Sequence, residues 1–412
     1  MIIIEGSKNL FQKNLKYYIL YGIVFELITN LYKPFSVKFL ERIGGSDFDI
    51  SLFNALPGLI MLFTLIPGIL LLRNLNIKKT TGLMVVLSRI FILLYAFVPF
   101  FPIAYQPFAF TMITALMSAP TAIYLTGFQS LTGDLFEPDE WVKAVSVKSK
   151  YSVLMIIFIT LLTGQLLTVL PQNDNQRILL YQGFFLLAFL FTGVELGLLK
   201  KMKVTHHTQN AIGPFKDVIK HIFSNKRFML YVYCSLTFHF GWQMGWPLFT
   251  IYTIKNLGAN EYWLAIISIS SLVTMFIGHI YWPRLIMKYG NATITAVCTV
   301  GMSITPILYI VSKNLYVLVV MAAIAGIVTS GTLTVLLSGV LEVIPRENRM
   351  LYMGVYTTFT NITLTIAPIV GHHLLTSKNI QFALVITALF RIIGGITFVI
   401  RDIYIKKTQT YL

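Results

Sequence analysis

The segment "KKMKVTHHTQNAIGPFKDVIKHIFSNKR", residues 200–227, is the longest polar stretch in a chain of 412 residues. The rest of the chain is markedly apolar, with 56% hydrophobic and 12% charged residues overall. So few polar groups cannot cover a water-soluble globule of this length, which predicts an integral membrane protein. The second half of the segment, "FKDVIKHIF", places Phe215, Val218, Ile219 and Ile222 on one side and predicts a helix lying on the inner membrane surface.

Apolar segments of about 20 residues recur on both sides of this stretch, each long enough to cross a hydrocarbon core. Six precede it and six follow it, which predicts domains 1–199 and 228–412 joined by a cytoplasmic linker, 200–227. The segments do not alternate polar and apolar residues as membrane β-strands do, so the fold class is all-α with twelve transmembrane helices. The predicted spans are 16–38, 48–72, 78–101, 105–128, 147–170, 178–199, 228–254, 262–284, 292–312, 314–340, 350–375 and 379–400.

The net charge of +16 is distributed as a membrane topology signal. Most of the Lys and Arg residues fall in segments that share one side if the N-terminus is cytoplasmic, which predicts that both termini and the linker are cytoplasmic. A multi-pass protein of the cell membrane is therefore expected, and nucleic acid is not an expected partner. The start, "MIIIEGSKNLFQKN", lacks the layout of a signal peptide, so the first span is expected to be retained.

The chain offers few of the groups that enzymes and pumps require. Cys234 and Cys298 both lie in predicted spans, where a thiol behaves as a small hydrophobe. His206 and His207 have no third ligand nearby, so no metal site and no cofactor is expected. There is no glycine-rich phosphate loop and no Cys/His/Asp cluster, which argues against an ATP-driven pump and against a membrane-embedded enzyme. A channel is disfavoured because no repeated filter or charged ring is found.

Two loops separated by six spans resemble each other, namely "SLTGDLFEPDEWVKAVSVKSKYSV" after span four and "LLSGVLEVIPRENRMLYMGVYTTF" after span ten. Each contains a small-residue helix end, an acidic residue, Pro, further charges and then a cation at the next helix. Pro138 and Lys143 in the first correspond to Pro345 and Arg349 in the second. This repetition predicts a parallel repeat of two six-helix halves.

At these residues the chain resembles the major facilitator superfamily of secondary transporters. The family's turn between spans eight and nine has a counterpart in "GHIYWPRLIMKYGNATI", where Gly278, Arg284, Lys288 and Gly290 match loosely, and span eleven contains a similar "IAPIVGHH". The resemblance implies two pseudo-symmetric six-helix bundles and a small-molecule substrate. The gating-loop candidates on the cytoplasmic side are Arg284, Lys288, Gly290, Lys143 and Arg349. Span five, "VLMIIFITLLTGQLLTVL", lacks the Gly-Pro motif of drug–proton antiporters.

A glutamate lies deep in the first span, within "VFELITNLYKPF", residues 24–35. Glu26, Asn30 and Lys33 share one stripe of a helix. A lipid-facing glutamate would cost several kcal/mol, so Glu26 should face protein or a water-filled cavity. The resemblance implies that spans one, four, seven and ten line such a cavity, which makes Glu26 the candidate for proton coupling and Asn30 a cavity candidate. The alternative is a buried carboxylate that only holds span one in place.

Span seven reads "CSLTFHFGWQMGWPLFTIY" and combines an imidazole, an amide and indoles. His239, Gln243 and Trp246 recur at helical spacing, with Trp242 beside them, as expected of a face that binds a solute. An interfacial aromatic belt is the alternative interpretation. Asn361 of span eleven lies deep enough to be a further cavity candidate.

Three other ionisable residues within spans are assigned packing roles, because the resemblance places spans three, six and twelve at the outside of each half. These are Arg89, Glu195 and Arg391, of which the first two are expected to pair within the first half.

The predicted function is secondary active transport of a small amphipathic or aromatic solute by alternating access, in the form of proton-coupled efflux. The expected partners are that solute and the lipid bilayer, and the chain is expected to be a monomer. Two alternatives remain open at this stage, namely export or flipping of a lipid or lipid-linked molecule, and uptake of a solute by a symporter of the same superfamily.

Overall fold

The computed structural model of the chain describes residues 2–136, 138–204, 215–345 and 349–410. Within these residues the regular structure is entirely helical. The helices before the linker are α1 (Ile2–Asn30), α2 (Ser36–Arg42), α3 (Asp47–Asn74), α4 (Ile77–Tyr95), α5 (Gln106–Leu135), α6 (Pro138–Val169), α7 (Asp174–Leu190) and α8 (Thr192–Lys201). Those that follow are α9 (Phe215–Ser224), α10 (Lys226–Ile251), α11 (Glu261–Tyr289), α12 (Asn291–Gly301), α13 (Ile304–Val311), α14 (Leu315–Val343), α15 (Arg349–Ser377) and α16 (Ile380–Thr410).

Each of the twelve predicted spans coincides with one of these helices or with two consecutive ones, so the twelve-span prediction is confirmed. Span one is interrupted between α1 and α2 by a short 3₁₀ helix, Lys33–Phe35. Pro34 lies in this interruption, and a proline cannot continue the hydrogen-bond ladder of the preceding helix. Span nine is likewise divided into α12 and α13, around Met302.

Nine helical segments of the described residues are long and apolar enough to cross a membrane. The segments that form spans one, three and seven are helical but are not among them. Two of these three, α1 and α10, carry Glu26 with Asn30 and His239 with Gln243. Two of the three helices without a clear spanning signal therefore contain candidate polar groups, while Asn361 lies on α15, which has that signal.

The chain divides into two compact units. The first comprises Met1–Gly45 with Phe63–Asn210, and the second comprises Ser46–Leu62 with Ala211–Leu412. Helix α3 therefore begins in the second unit and ends in the first. Its first residue, Asp47, forms an ion pair of 2.6 Å with Lys255, which lies in the π-helical turn Tyr252–Asn256 after α10.

An aromatic cluster connects several helices of the first unit. Phe39 of α2 contacts Phe110 of α5, Tyr181 of α7 and Phe185 of α7, with ring centroids 5.0–5.2 Å apart. Tyr95 of α4 joins the same cluster, 4.6 Å from Phe110. All five rings are buried, so this cluster anchors α2 although Pro34 separates α2 from α1.

Small residues determine the closest helix packing in the second unit, where α11 lies against α14. A Cβ atom added at Gly326 would collide with the backbone of Ser271, and one at Gly278 would collide with the side chain of Ser330. In a membrane, where lipid chains are as apolar as leucine, such close contact is a main source of helix association.

Helix α9 confirms the predicted helix in the linker, but its apolar side has a different partner from the one expected. Val218 and Ile222 are buried within the protein, and His221 Nδ1 lies 2.9 Å from the hydroxyl of Tyr352. Protein therefore covers Val218 and Ile222, because an amphipathic pattern shows that a side is apolar and does not show what covers it. The position of the helix at the membrane surface stays a prediction.

Candidate functional site

Helix α1 positions the predicted proton-coupling residue. Glu26 and Asn30 are one turn apart and both are half-buried. Asn30 Nδ2 donates a hydrogen bond of 3.1 Å to Glu26 Oε2 and one of 2.9 Å to the Glu26 carbonyl. The amide therefore supports the charged carboxylate from within the same helix. Lys33, the third residue of the predicted stripe, is exposed.

A cation on a second helix approaches this carboxylate. Lys148 of α6 is half-buried and interacts electrostatically with Glu26. A Cβ atom at Gly22 would lie 2.7 Å from the Lys148 stem, so this glycine provides the space for the lysine one turn before Glu26. The ammonium group lies 5.5 Å from the ring centre of Tyr18 and 5.8 Å from that of Phe128.

Lys148 is a residue whose role the sequence analysis missed. In the sequence it belongs to a series of cations that follows the loop after span four, together with Lys143 and Lys150. Lys150 is exposed, as a topology signal predicts, whereas Lys148 is turned toward α1. In the sequence, Gly22 is a small residue that allows a neighbouring helix to come close. It does not show which helix or which side chain occupies that space.

The predicted pairing of Arg89 with Glu195 is confirmed. Arg89 Nε and Nη2 donate bonds of 3.0 and 3.1 Å to the two carboxylate oxygens, and the side chains are 2% and 0% exposed. The guanidinium carbon lies 5.6 Å from the ring centres of both Phe25 and Tyr124. This bidentate pair joins α4 to α8, which is a structural role.

A hydrogen-bond network of uncharged groups surrounds His239 of α10 in the second unit. His239 Nδ1 lies 2.7 Å from the Ser235 carbonyl, and Ser235 Oγ lies 2.7 Å from the Tyr356 hydroxyl. Because a carbonyl can only accept, His239 carries its proton on Nδ1 and leaves Nε2 as an acceptor in the neutral ring. All three residues are buried.

One turn further along α10, Gln243 is held by α15. Thr363 Oγ1 donates a bond of 2.5 Å to Gln243 Oε1, and Gln243 Nε2 donates one of 3.4 Å to the Thr360 carbonyl. Both ends of the amide are therefore occupied. Gln243 and His239 face α15, which the spacing along α10 alone does not show.

The tryptophans of α10 lie beside this network. The Trp242 ring is 5.4 Å from that of His239 and 6.2 Å from that of Trp246. Trp242 is half-buried, whereas Trp246 is 38% exposed and precedes Pro247. On the predicted face, His239 and Gln243 are buried, and the two tryptophans become more exposed from Trp242 to Trp246.

Asn361 of α15 has an unused donor. The residue is 4% exposed, and its Nδ2 atom has no hydrogen-bond partner among the described residues. An unpaired buried amide is costly, which makes it a position where a bound solute would gain a hydrogen bond. Its own backbone carbonyl lies close to Gly58 of α3, where a Cβ atom would be 3.0 Å away.

Arg391 of α16 is fully buried and is bound by main-chain oxygens. It donates to the carbonyls of Gly241, Trp242 and Met302 at 3.0–3.2 Å. Met302 follows the end of α12, where the helix dipole places partial negative charge. The predicted packing role of Arg391 agrees with these contacts.

Three of the five gating-loop candidates lie at the end of α11. Arg284 and Lys288 are exposed and lie over the rings of Tyr281 and Tyr289, at 5.7 and 5.0 Å. Gly290 ends the helix with φ +84°, a backbone conformation that favours glycine. The side chains of Lys143 and Arg349 lie outside the described residues.

The described residues contain no group of three His, Cys, Asp or Glu side chains that could hold a metal ion. The two histidines at 206 and 207 lie outside the described residues. Cys234 and Cys298 are buried free thiols in α10 and α12.

An all-α protein with many apolar helices and ionisable groups inside them has the construction of a multi-pass membrane transporter. The chain belongs to the Major Facilitator Superfamily, because the model of that family matches residues 18–291 and 234–409. It is accordingly a secondary transporter of a small-molecule substrate across a membrane.

A solved structure shares the fold of this chain. The crystal structure of a point variant of the nucleoside transporter NupG aligns with a TM-score of 0.72 and 12% identity, covering 94% of this chain and 98% of that one. At this identity the likeness concerns the fold. No curated protein sequence matches the chain.

Proposed function

We propose that the chain is a proton-coupled exporter of a small amphipathic or aromatic solute, working by alternating access of its two halves. The observation that carries this proposal is the half-buried Glu26, which is hydrogen-bonded by Asn30 and lies in the field of Lys148. A carboxylate between solvent and protein changes its proton occupancy when its surroundings change. The carboxylate of Glu195 is a poorer candidate for proton exchange, because it is fully buried and both of its oxygens accept hydrogen bonds from Arg89.

The proposed solute-binding surface is formed by α10 and α15. Trp242 offers flat apolar area, His239 Nε2 offers an acceptor and Asn361 Nδ2 offers a donor. A planar ring that carries both a donor and an acceptor matches these groups. Gln243 supports the surface through its bonds to α15, and Trp246 extends it toward the exposed end of α10.

We further propose that both termini and the 200–227 linker face the cytoplasm, that the protein resides in the cell membrane as a monomer, and that residues 1–199 and 228–412 move as two six-helix bundles. The excess of Lys and Arg in the segments on one side supports this orientation.

The orientation can be tested by labelling. Single cysteines introduced at His207 and Lys378 should react with an impermeant reagent from opposite sides. Labelling of both from outside would contradict the orientation.

The decisive experiment replaces Glu26 with Gln, which keeps the size and hydrogen bonding but cannot exchange a proton in the working range. A thermal-shift screen of aromatic amines, nucleosides and amphipathic drugs first supplies a transported compound. Proteoliposomes are then assayed with and without an imposed proton gradient. We expect Glu26→Gln to fold and bind the compound, to lose gradient-driven accumulation, and to retain exchange.

Glu41→Gln is the matched control, since it makes the same change in a carboxylate that pairs with Lys38 within α2. It should accumulate the compound as the unaltered protein does. Unchanged accumulation by Glu26→Gln would reject proton coupling at this residue and leave Glu26 with a structural role. The direction of accumulation relative to the gradient distinguishes export from uptake.

A further inference from the structure

A groove of about 450 Å³ lies where two helical segments of the second unit end and two others begin. Asn256 and Leu257 come from the end of the π-helical turn after α10, and Trp263 comes from the first turn of α11. The remaining residues belong to the end of α13 and the start of α14, and are Lys313, Asn314, Leu315 and Tyr316. None of these lining residues is acidic.

Two aromatic rings form one wall of the groove. Trp263 and Tyr316 meet edge to face with their ring centres 4.8 Å apart. Each lies in the first turn of a helix that is long and apolar enough to cross the membrane, Glu261–Tyr289 and Leu315–Val343. Trp and Tyr at the first turns of membrane-crossing helices are typical of the level of lipid headgroups. The groove therefore opens at the membrane boundary.

The groove carries positive charge. Lys313 is exposed and forms no ion pair with any residue that the structure describes. Lys255, which precedes the lining residue Asn256 in the chain, is paired with Asp47. Helices α11 and α14 both begin here, capped by the side chains of Asn260 and Asn314. The positive end of the α14 dipole thus adds to the field of the lysine, whereas Glu261 in the first turn of α11 offsets the dipole of that helix.

An exposed apolar stripe continues from the groove along α14. Tyr316, Val320, Ile324 and Ile327 follow at intervals of three and four residues, and they are 75%, 58%, 40% and 43% exposed. This spacing places them on one side of the helix. A ligand that has both an anionic group for Lys313 and a long apolar chain for this stripe would contact the whole surface.

We infer that this groove binds the phosphate diester of an anionic phospholipid, with the phosphate at Lys313, the glycerol region against Trp263 and Tyr316, and an acyl chain along α14. The absence of an acidic lining residue disfavours the choline or ethanolamine of a zwitterionic headgroup. In the orientation proposed above, the lipid belongs to the outer leaflet. The inference does not depend on proton coupling or on the transported solute.

The test uses the full chain in vesicles that contain phosphatidylglycerol or phosphatidylcholine with brominated acyl chains, which quench nearby tryptophans. We expect Trp263 to be quenched at a phosphatidylglycerol content about fivefold lower than for phosphatidylcholine, the ratio typical of one lysine at a membrane surface. Lys313→Gln should abolish this difference. Lys378→Gln should keep it, because Lys378 is an exposed lysine over an aromatic ring, Phe382, and does not line this groove.

Trp263→Phe identifies the reporter, since the headgroup-dependent part of the quenching should disappear with it. Equal quenching by the two lipids in the unaltered protein would overturn the inference. It would also be overturned if the Lys313→Gln variant, with an unchanged melting temperature, kept the full preference for phosphatidylglycerol. Millimolar glycerol phosphate or inorganic phosphate should not displace the lipid. Complete displacement by either would show a site for a soluble anion and would also overturn the assignment to a lipid.

Discussion

The candidate residues of the two units have different kinds of polar neighbours. The first encloses formal charges of both signs, with Arg89 bound to Glu195 and Glu26 in the field of Lys148. At its candidate residues the second relies on neutral hydrogen bonds, those of His239 and Gln243, and it holds the buried Arg391 with carbonyl oxygens. Glu261, Arg401 and Asp402 are also buried in this unit, away from the candidate residues in the sequence. An ion pair changes when a proton binds, whereas a neutral network mainly fixes the orientation of its members. We therefore expect charge changes in the first unit and solute orientation in the second.

Two of the buried arginines, Arg89 and Arg391, show this contrast most directly. Arg89 has a carboxylate as its partner, so removing that carboxylate would leave an isolated charge inside the protein. Arg391 has three carbonyls as partners, at least one of them beside the negative end of a helix dipole. Removing Arg391 would therefore leave dipoles without a donor but no unpaired charge.

The largest effect is expected from Glu195→Gln. The substitution leaves the Arg89 charge uncompensated at 2% exposure, which should lower the free energy of unfolding by about 3–5 kcal/mol. Thermal melting in detergent measures this loss. Asp174→Asn, which alters an exposed ion pair with Arg42, should change it by less than about 1 kcal/mol.

A second variant separates charge from packing. Arg89→Met combined with Glu195→Leu removes both charges, and we expect the double variant to be more stable than Glu195→Gln. A double variant as unstable as the single one would show that shape, rather than charge balance, governs this contact.

A smaller loss is expected from Arg391→Met. Three charge-assisted bonds disappear, but their carbonyls lie within or at the ends of helices, so the loss in the free energy of unfolding should be about 2 kcal/mol. The same melting assay applies. A loss equal to that of Glu195→Gln would contradict the contrast between the two units, because it would imply a buried anion near Arg391.

Trp242→Ala tests whether the second unit contacts the solute. Because Trp242 is half-buried, we expect affinity for the transported compound to fall about tenfold while folded yield changes little. Phe240→Ala is the control on the same helix, since Phe240 packs on Phe390. It should lower stability and leave affinity unchanged. Equal damage to folding and affinity by Trp242→Ala would favour a packing role.

The smallest expected effect concerns Lys148→Met. Without this cation the proton occupancy of Glu26 should respond less to the conformational change, and we expect gradient-driven transport to fall about fivefold. Lys150→Met, an exposed lysine on the same helix, should transport normally. Once Glu26→Gln is present, Lys148→Met should add no further loss. Additive losses would show that the two residues act independently.

Several features were predictable because they depend on local composition. The twelve spans and the pairing of Arg89 with Glu195 follow from apolar runs and from the cost of isolated charges in a membrane. The break of span one at Pro34 is also a local effect. The length of the helices was underestimated, since α1, α6 and α16 begin or end well outside the apolar segments.

The amino-acid sequence by itself determined that this chain is an all-α membrane protein with six spans on either side of a polar linker, because hydropathy acts over about 20 neighbouring residues. Only the tertiary structure decided which polar groups meet. Lys148 reaches α1 across Gly22, Gln243 binds Thr363 and Arg391 binds the Gly241 carbonyl. These partners are more than 100 residues apart, and their contact depends on the rotation and register of packed helices, which no single helix encodes.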